Sequence, residues 1–260
     1  MATPILEFFN VNFVYHTISS ETLSLKDISF NLNKSEFISF VGPSGCGKTT
    51  LLNIIAGLLP ATEGNIQING ESITDADIHI GYMLQKDHLL EWRTIYKNLT
   101  LGLEIQNLMD ETHIRIIDDL LKTYGLWEFR NAYPRQLSGG MRQRAALIRT
   151  LALSPQILLL DEPFSALDYQ TRLNVSNDIG SIIKEKGIST LLVTHDLAEA
   201  VSMSDRVIVL SKRPGTVKTI IPIVFENKTL TPREKRNTPE FTKYYNMIWE
   251  AVHDETQDFA

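Results

Sequence analysis

The 260 residues, 43% of them hydrophobic and 22% charged, are enough to bury a sizeable core and exclude a disordered or fibrous chain. A formal net charge of -6 argues against broad nucleic-acid binding, and a single cysteine, Cys46, excludes an intramolecular disulfide and argues against a cysteine metal site. No apolar run approaches the ~20 residues that cross a bilayer. The opening MATPILEFFN lacks the basic, apolar and small-residue succession of a secretory signal, so the expectation is one cytosolic α/β domain over residues 1–260.

Residues 4 to 40 alternate apolar and polar in short runs, which predicts half-buried strands. A glycine-rich stretch, Gly42 to Gly47, precedes TTLLNIIAGLL, where Leu51, Leu52, Ile55, Leu58 and Leu59 share a helical spacing that Pro60 ends. Ile66 and Ile68 lead into an Asn69-Gly70 turn, which predicts a hairpin returning through Ile78 to Tyr82. From about 86 to 153 the pattern is that of a helical insert. ILLLD (157–161), TLLVT (190–194) and VIVL (207–210) then alternate with helical segments such as 168–186, the pattern of a parallel sheet covered on both faces. One more strand, Val217 to Val224, precedes a charged stretch and an aromatic-bearing tail, about 216 to 260.

Gly42-Pro43-Ser44-Gly45-Cys46-Gly47-Lys48-Thr49 fits GxxxxGK[ST], directly after a predicted strand and directly before a predicted helix, and these residues with Thr50 are the candidate nucleotide binders. Residue frequencies give about 0.006 chance matches in such a chain. Backbone N–H groups and a helix N-terminus would hold phosphates, Lys48 would neutralise the β and γ oxygens, and Thr49 would ligate Mg²⁺. Cys46 reads as a small residue that fits the turn rather than as a redox switch. At the end of ILLLD stand Asp161 and Glu162. Asp161 is suited to hold Mg²⁺ and Glu162 to polarise water; the competing reading is an ordinary helix cap.

Leu137-Ser138-Gly139-Gly140-Met141-Arg142-Gln143-Arg144, ahead of a helix and the strand from Ile157, resembles the signature motif of ATP-binding cassette (ABC) ATPases. The resemblance runs from Tyr15 to about Gly215 and implies an ABC ATPase fold: a phosphate-loop NTPase core with a mainly parallel sheet, an N-terminal antiparallel layer and a helical insert. It implies ATP and Mg²⁺ as ligands, and a dimer in which Ser138, Gly139 and Gly140 grip the γ-phosphate held by the other subunit. Gln85 resembles the Q-loop glutamine on Mg²⁺ or water, Asp168 in SALD the D-loop aspartate, and His195 the switch histidine. Tyr15 resembles the aromatic that stacks on adenine, with Phe13 or plain sheet packing as the other possibility. Ser35-Glu36 in place of Gly-Glu, and Met83-Leu84 before Gln85, depart from the family pattern.

Leu89-Leu90-Glu91-Trp92-Arg93-Thr94 and Arg213-Pro214-Gly215 resemble the nitrate, sulfonate and taurine importer branch, which often has Pro where Glu91 stands. That implies integral membrane permease partners, an indirect extracytoplasmic solute-binding protein and a place on the cytoplasmic membrane face. Leu89, Leu90 and Trp92 read either as a docking cluster for a permease helix or as local packing. About 45 residues after Gly215 leave no room for a full regulatory domain. A soluble ABC ATPase of a non-transport assembly, such as iron-sulfur cluster assembly, is the alternative.

Overall fold

The computed structural model describes residues 4–18 and 20–253. The last seven residues of the tail fall outside them. The chain forms two compact units, one built from residues up to Ile78 and from Ser176 onward, the other from His79 to Val175.

The first unit opens with β1 (Leu6–His16), β2 (Glu21–Leu32), β3 (Phe37–Val41), α1 (Lys48–Ile55), β4 (Glu63–Ile68) and β5 (Glu71–Ser72). Strands β2, β1, β4 and β5 pair in that order as an antiparallel sheet. On β1, Leu6, Phe8, Val11 and Phe13 are buried. The change from even to odd positions marks a bulge where Asn10 takes a left-handed φ of 48°. One inserted residue flips every later side chain to the opposite face, so Tyr15 falls in phase with Val11 and Phe13. Gly64 backs onto this bulge, where a Cβ would stand 2.5 Å from the Asn10 carbonyl oxygen.

Two expectations change here. Helix α1 ends at Ile55 rather than at Pro60, because Gly57 turns left-handed (φ 71°), and Leu58 is exposed. The Asn69-Gly70 turn, left-handed at both residues, returns only through Glu71–Ser72. Ile80 to Met83 belongs instead to the second unit, as a parallel strand.

That second unit holds β6 (Ile80–Met83), α2 (Ile95–Leu99), α3 (Leu101–Gln106), α4 (Glu111–Thr123), α5 (Gly139–Leu151) and β7 (Ile157–Asp161), with β6 and β7 parallel. α4 buries Ile117, Leu120 and Leu121 on one face and is capped by Asp110, which accepts from the His113 N–H. Helix α6 (Tyr169–Lys186) carries the chain back to the first unit.

There follow β8 (Ser189–Val193), α7 (Leu197–Met203), β9 (Arg206–Leu210), β10 (Val217–Pro222), α8 (Pro232–Lys235) and α9 (Pro239–His253). Strand β3 lies between β8 and β9, parallel to both, and β10 adds antiparallel to β9. Every residue of β3 and β8 is buried, as strands covered on both faces require. The tail is part of this core. Ile248 of α9 is fully buried with Val201 of α7, Val207 and Val209 of β9 and Ile221 of β10.

Ser35, at the departure from Gly-Glu, takes the left-handed conformation a glycine would adopt (φ 59°). Its hydroxyl donates to the Gly187 carbonyl at 2.9 Å and its N–H to Ser189 Oγ at 3.0 Å. The turn is therefore kept by side-chain hydrogen bonds that offset the strain. Beside it Glu36 forms a two-point ion pair with Arg206, which ties the entry of β3 to β9.

Candidate nucleotide site

In the first unit, β3 delivers the chain into the phosphate loop and α1 leaves it. Gly47 is the residue before α1, with a left-handed φ of 104° and no side chain to cap the helix. The opening N–H groups of α1 thus meet neither a capping side chain nor an acidic first turn. Lys48 is only 8% exposed. Its ammonium folds over the loop and donates to the carbonyls of Gly42 (2.8 Å) and Pro43 (3.0 Å), with Cys46 Sγ at 3.7 Å. Burial pushes the Cys46 thiol above its ordinary pKa, against the pull of Lys48. The thiol is neutral and enclosed, which fits the packing reading of this residue.

Thr49 and Ser44 are exposed at the loop, and Thr50 is buried. Thr50 Oγ1 lies 3.0 Å from the Tyr15 hydroxyl and 3.4 Å from Ser24 Oγ. The ring of Tyr15 is 40% exposed, whereas Phe13 is buried and meets it edge-on at 4.8 Å. Of the two aromatics, Tyr15 has a free face. His195 is exposed between β8 and α7, one residue ahead of the cap Asp196.

Gly215 is the residue in this unit that sequence reasoning missed, since Arg213-Pro214-Gly215 read only as a branch mark. It pairs with β2 through Gly215 N–H to Ser24 O (2.9 Å) and Lys26 N–H to Gly215 O (2.9 Å). A Cβ on it would overlap the Cys46 carbonyl oxygen. Only a glycine lets this segment lie directly under the phosphate loop.

In the second unit, β7 ends on Asp161, which is 6% exposed. Tyr82 of β6 faces it. Burial first, and then the Asp161 charge, raise the Tyr82 phenol well above its ordinary range, so it remains a hydrogen-bond donor to the carboxylate. Glu162 adopts a left-handed φ of 46°, an uncommon conformation for a non-glycine residue and one that recurs at functional sites. Gln85 Nε2 donates to Glu162 Oε2 at 3.1 Å and approaches Ser165 Oγ at 3.5 Å. Neither carboxylate caps a helix: α6 starts at Tyr169, and Asp168 Oδ1 accepts from the Thr171 N–H at 3.0 Å. The structure thus brings Gln85 and Glu162 together, leaving Asp161 with Tyr82 and Asp168 at its own helix end.

Ser138 caps α5, accepting from the Met141 N–H at 3.3 Å, and is exposed. A Cβ on Gly140 would meet Thr171 Cγ2 at 2.6 Å, so that glycine serves close packing. The apolar cluster divides. Leu89 is buried and Trp92 is 75% exposed. Asn98, fully buried and unnoticed in the sequence, closes this loop by accepting from Leu90 N–H at 2.6 Å and sharing its amide among the Leu90, Arg93 and Thr94 carbonyls.

The family model described as ABC transporter matches residues 25–165. The chain belongs to the ABC transporter ATPases. An ABC transporter ATP-binding protein of Bacillus subtilis, YtlC, is 45% identical, covering 95% of this chain and 96% of that one. The nitrate import ATP-binding protein NrtD of Synechocystis is 38% identical (94% and 93% covered), and the taurine import ATP-binding protein TauB of Escherichia coli 37% (91% and 94%). Among solved structures, the dimeric bacterial ABC transporter cassette MJ0796 aligns with a TM-score of 0.74 at 32% identity, covering 85% of this chain and 99% of that one. A post-hydrolysis state of that cassette, bound to ADP and Pi, aligns at 0.73. The protein is therefore an ATP-binding hydrolase of the ABC fold.

For this ABC ATPase, Gly215→Ala forces the Cys46 carbonyl and with it the phosphate loop to move. MgATP affinity, measured by fluorescent-nucleotide titration, should fall about tenfold, or ~1.4 kcal/mol. The melting temperature should fall as well, because the overlap strains a close backbone contact.

Proposed function

We propose that residues 1–260 act as one cassette: the ATP-hydrolysing subunit of an importer for a small solute of the nitrate, sulfonate and taurine class. It works as a homodimer on two integral membrane permease subunits at the cytoplasmic membrane face, fed by an extracytoplasmic binding protein. Identity of 37–38% to nitrate and taurine import subunits over more than nine-tenths of both chains supports the importer class. No described helix is long and apolar enough to cross a membrane, so the path for solute belongs to partners.

The observation that carries the catalytic reading is the Gln85–Glu162 hydrogen bond at the end of β7. Gly42 to Thr50 bind the triphosphate, Lys48 balances its β and γ charge, and Tyr15 stacks on the adenine. Glu162 accepts a proton from the attacking water as its oxygen bonds to the γ-phosphorus, and ADP leaves with the bridging oxygen. Gln85 orients Glu162, His195 steadies the γ-phosphate, and Ser138, Gly139 and Gly140 of the second copy, with Asp168, close the site.

Among the described residues no cluster of three or more His, Cys, Asp or Glu side chains forms a metal cage. A hydroxyl (Thr49), a carboxylate (Asp161) and an amide oxygen (Gln85) are nevertheless hard oxygen donors of the kind Mg²⁺ takes beside substrate phosphates. Bound there, Mg²⁺ would offset charge on the β and γ phosphates.

Glu162→Gln keeps size and removes basicity. Turnover should fall by roughly 10²-fold or more while MgATP still binds, and near wild-type turnover would refute the assignment of the base. For the importer role, Trp92→Glu places a charge on the exposed tip of the Asn98-closed loop. Co-purification with the permease subunits and solute uptake should be lost, with basal hydrolysis and melting temperature kept; retained membrane association would contradict it.

A further inference from the structure

The loop after Gln85 is fastened to α5 by two arginines one heptad apart, on the same side of that helix. Arg149 donates to the carbonyls of Asp87 (2.8 Å) and His88 (2.7 Å), an anchor made only of backbone acceptors. Arg142 makes a different connection. Its Nε donates to Asp87 Oδ2 at 3.1 Å, and its Nη1 donates to the carbonyl of Leu137 at 2.9 Å. Leu137 immediately precedes Ser138, the cap of α5. The other Asp87 oxygen accepts from the Leu89 N–H at 3.1 Å, so the carboxylate is held at both ends.

One guanidinium therefore joins the loop that carries Gln85 to the turn that presents Ser138. The chain of contacts runs from Glu162 to Gln85, through the backbone to Asp87, across to Arg142 and on to Leu137. Both members of the ion pair are partly shielded, with side chains 35% and 26% exposed. A planar guanidinium with donors aimed in two directions fixes angle as well as distance, which an ammonium would not.

We propose that Asp87 and Arg142 are positioning residues: their ion pair sets Ser138 according to the position of the Gln85 loop, so that closure on the second copy's nucleotide follows the state of the loop. The inference rests on the proposed role of Ser138 across the dimer. It requires neither residue to touch ATP.

The test is a double-mutant cycle in the full chain with Asp87→Asn, Arg142→Gln and the pair together, and with Asp87→Glu as the conservative variant. Each single variant should lower kcat about tenfold while MgATP affinity of the monomer stays within about twofold. The double variant should be no worse than either single, and Asp87→Glu should recover most of the rate. A purely structural pair would instead lower melting temperature and nucleotide affinity together. Single variants at wild-type kcat, or losses that multiply in the double variant, would overturn the proposal. Ser138→Arg, measured in parallel for ATP-dependent dimerisation, separates the two levels. If it blocks dimerisation while the cycle shows no coupling, the ion-pair inference alone fails; if it leaves dimerisation intact, the composite-site reading fails and takes this inference with it.

Discussion

Lys48 is a cation that water barely reaches, and the phosphate loop is arranged around satisfying it. The acceptors it uses are two carbonyls and a thiol. Carbonyl dipoles solvate a charge without cancelling it, whereas a carboxylate would neutralise it and leave little attraction for an incoming anion. At an effective dielectric constant of about 20, two unit charges 4 Å apart attract by about 4 kcal/mol, so under the proposed role of Lys48 an unneutralised ammonium would strengthen phosphate binding. The uncapped start of α1 adds partial positive charge to the same place. The remaining features of the first unit support that geometry from behind: β3 is buried end to end, and Gly215 lies against the Cys46 carbonyl.

The second unit solves the opposite problem, holding negative charge in place. Asp161 is buried against a Tyr82 phenol that stays protonated, and Glu162 sits in a left-handed conformation that costs roughly 1–2 kcal/mol. The hydrogen bond from Gln85 fixes where that carboxylate points. Gln85 also opens the loop that leads to exposed Trp92. Asn98 keeps the loop closed and Arg149 keeps its base fixed, leaving the Asp87–Arg142 pair as the side-chain connection toward Ser138.

The motifs were legible in the sequence because each is a short run whose chemistry needs consecutive residues. Gly42 to Thr49, Asp161-Glu162 and Ser138-Gly139-Gly140 fall where strand and helix periods predict, and the apolar runs around 157, 190 and 207 are strands. Features that depend on long-range packing were not legible. Gly215 matters because of Cys46, 169 residues earlier in the chain. The bulge at Asn10, which puts Tyr15 on the face of Thr50, leaves only a change from even to odd apolar positions. Helix α1 stops short because Gly57 is left-handed, although apolar spacing continues past it. Leu89 and Trp92 both read as members of one apolar cluster, yet one is buried and the other exposed, a difference that residue type alone does not reveal.

The central claim is a site shared between two copies, with Lys48 from one and Ser138 from the other. Mixing two inactive proteins, Lys48→Ala and Ser138→Arg, tests it directly. In a two-fold symmetric dimer, a mixed pair places both lesions in one site and leaves the other intact. Only the mixed pair holds an intact site, so ATP hydrolysis should rise from near zero well above the sum of the two separate proteins. A mixture no more active than the sum of its two components would contradict the shared site.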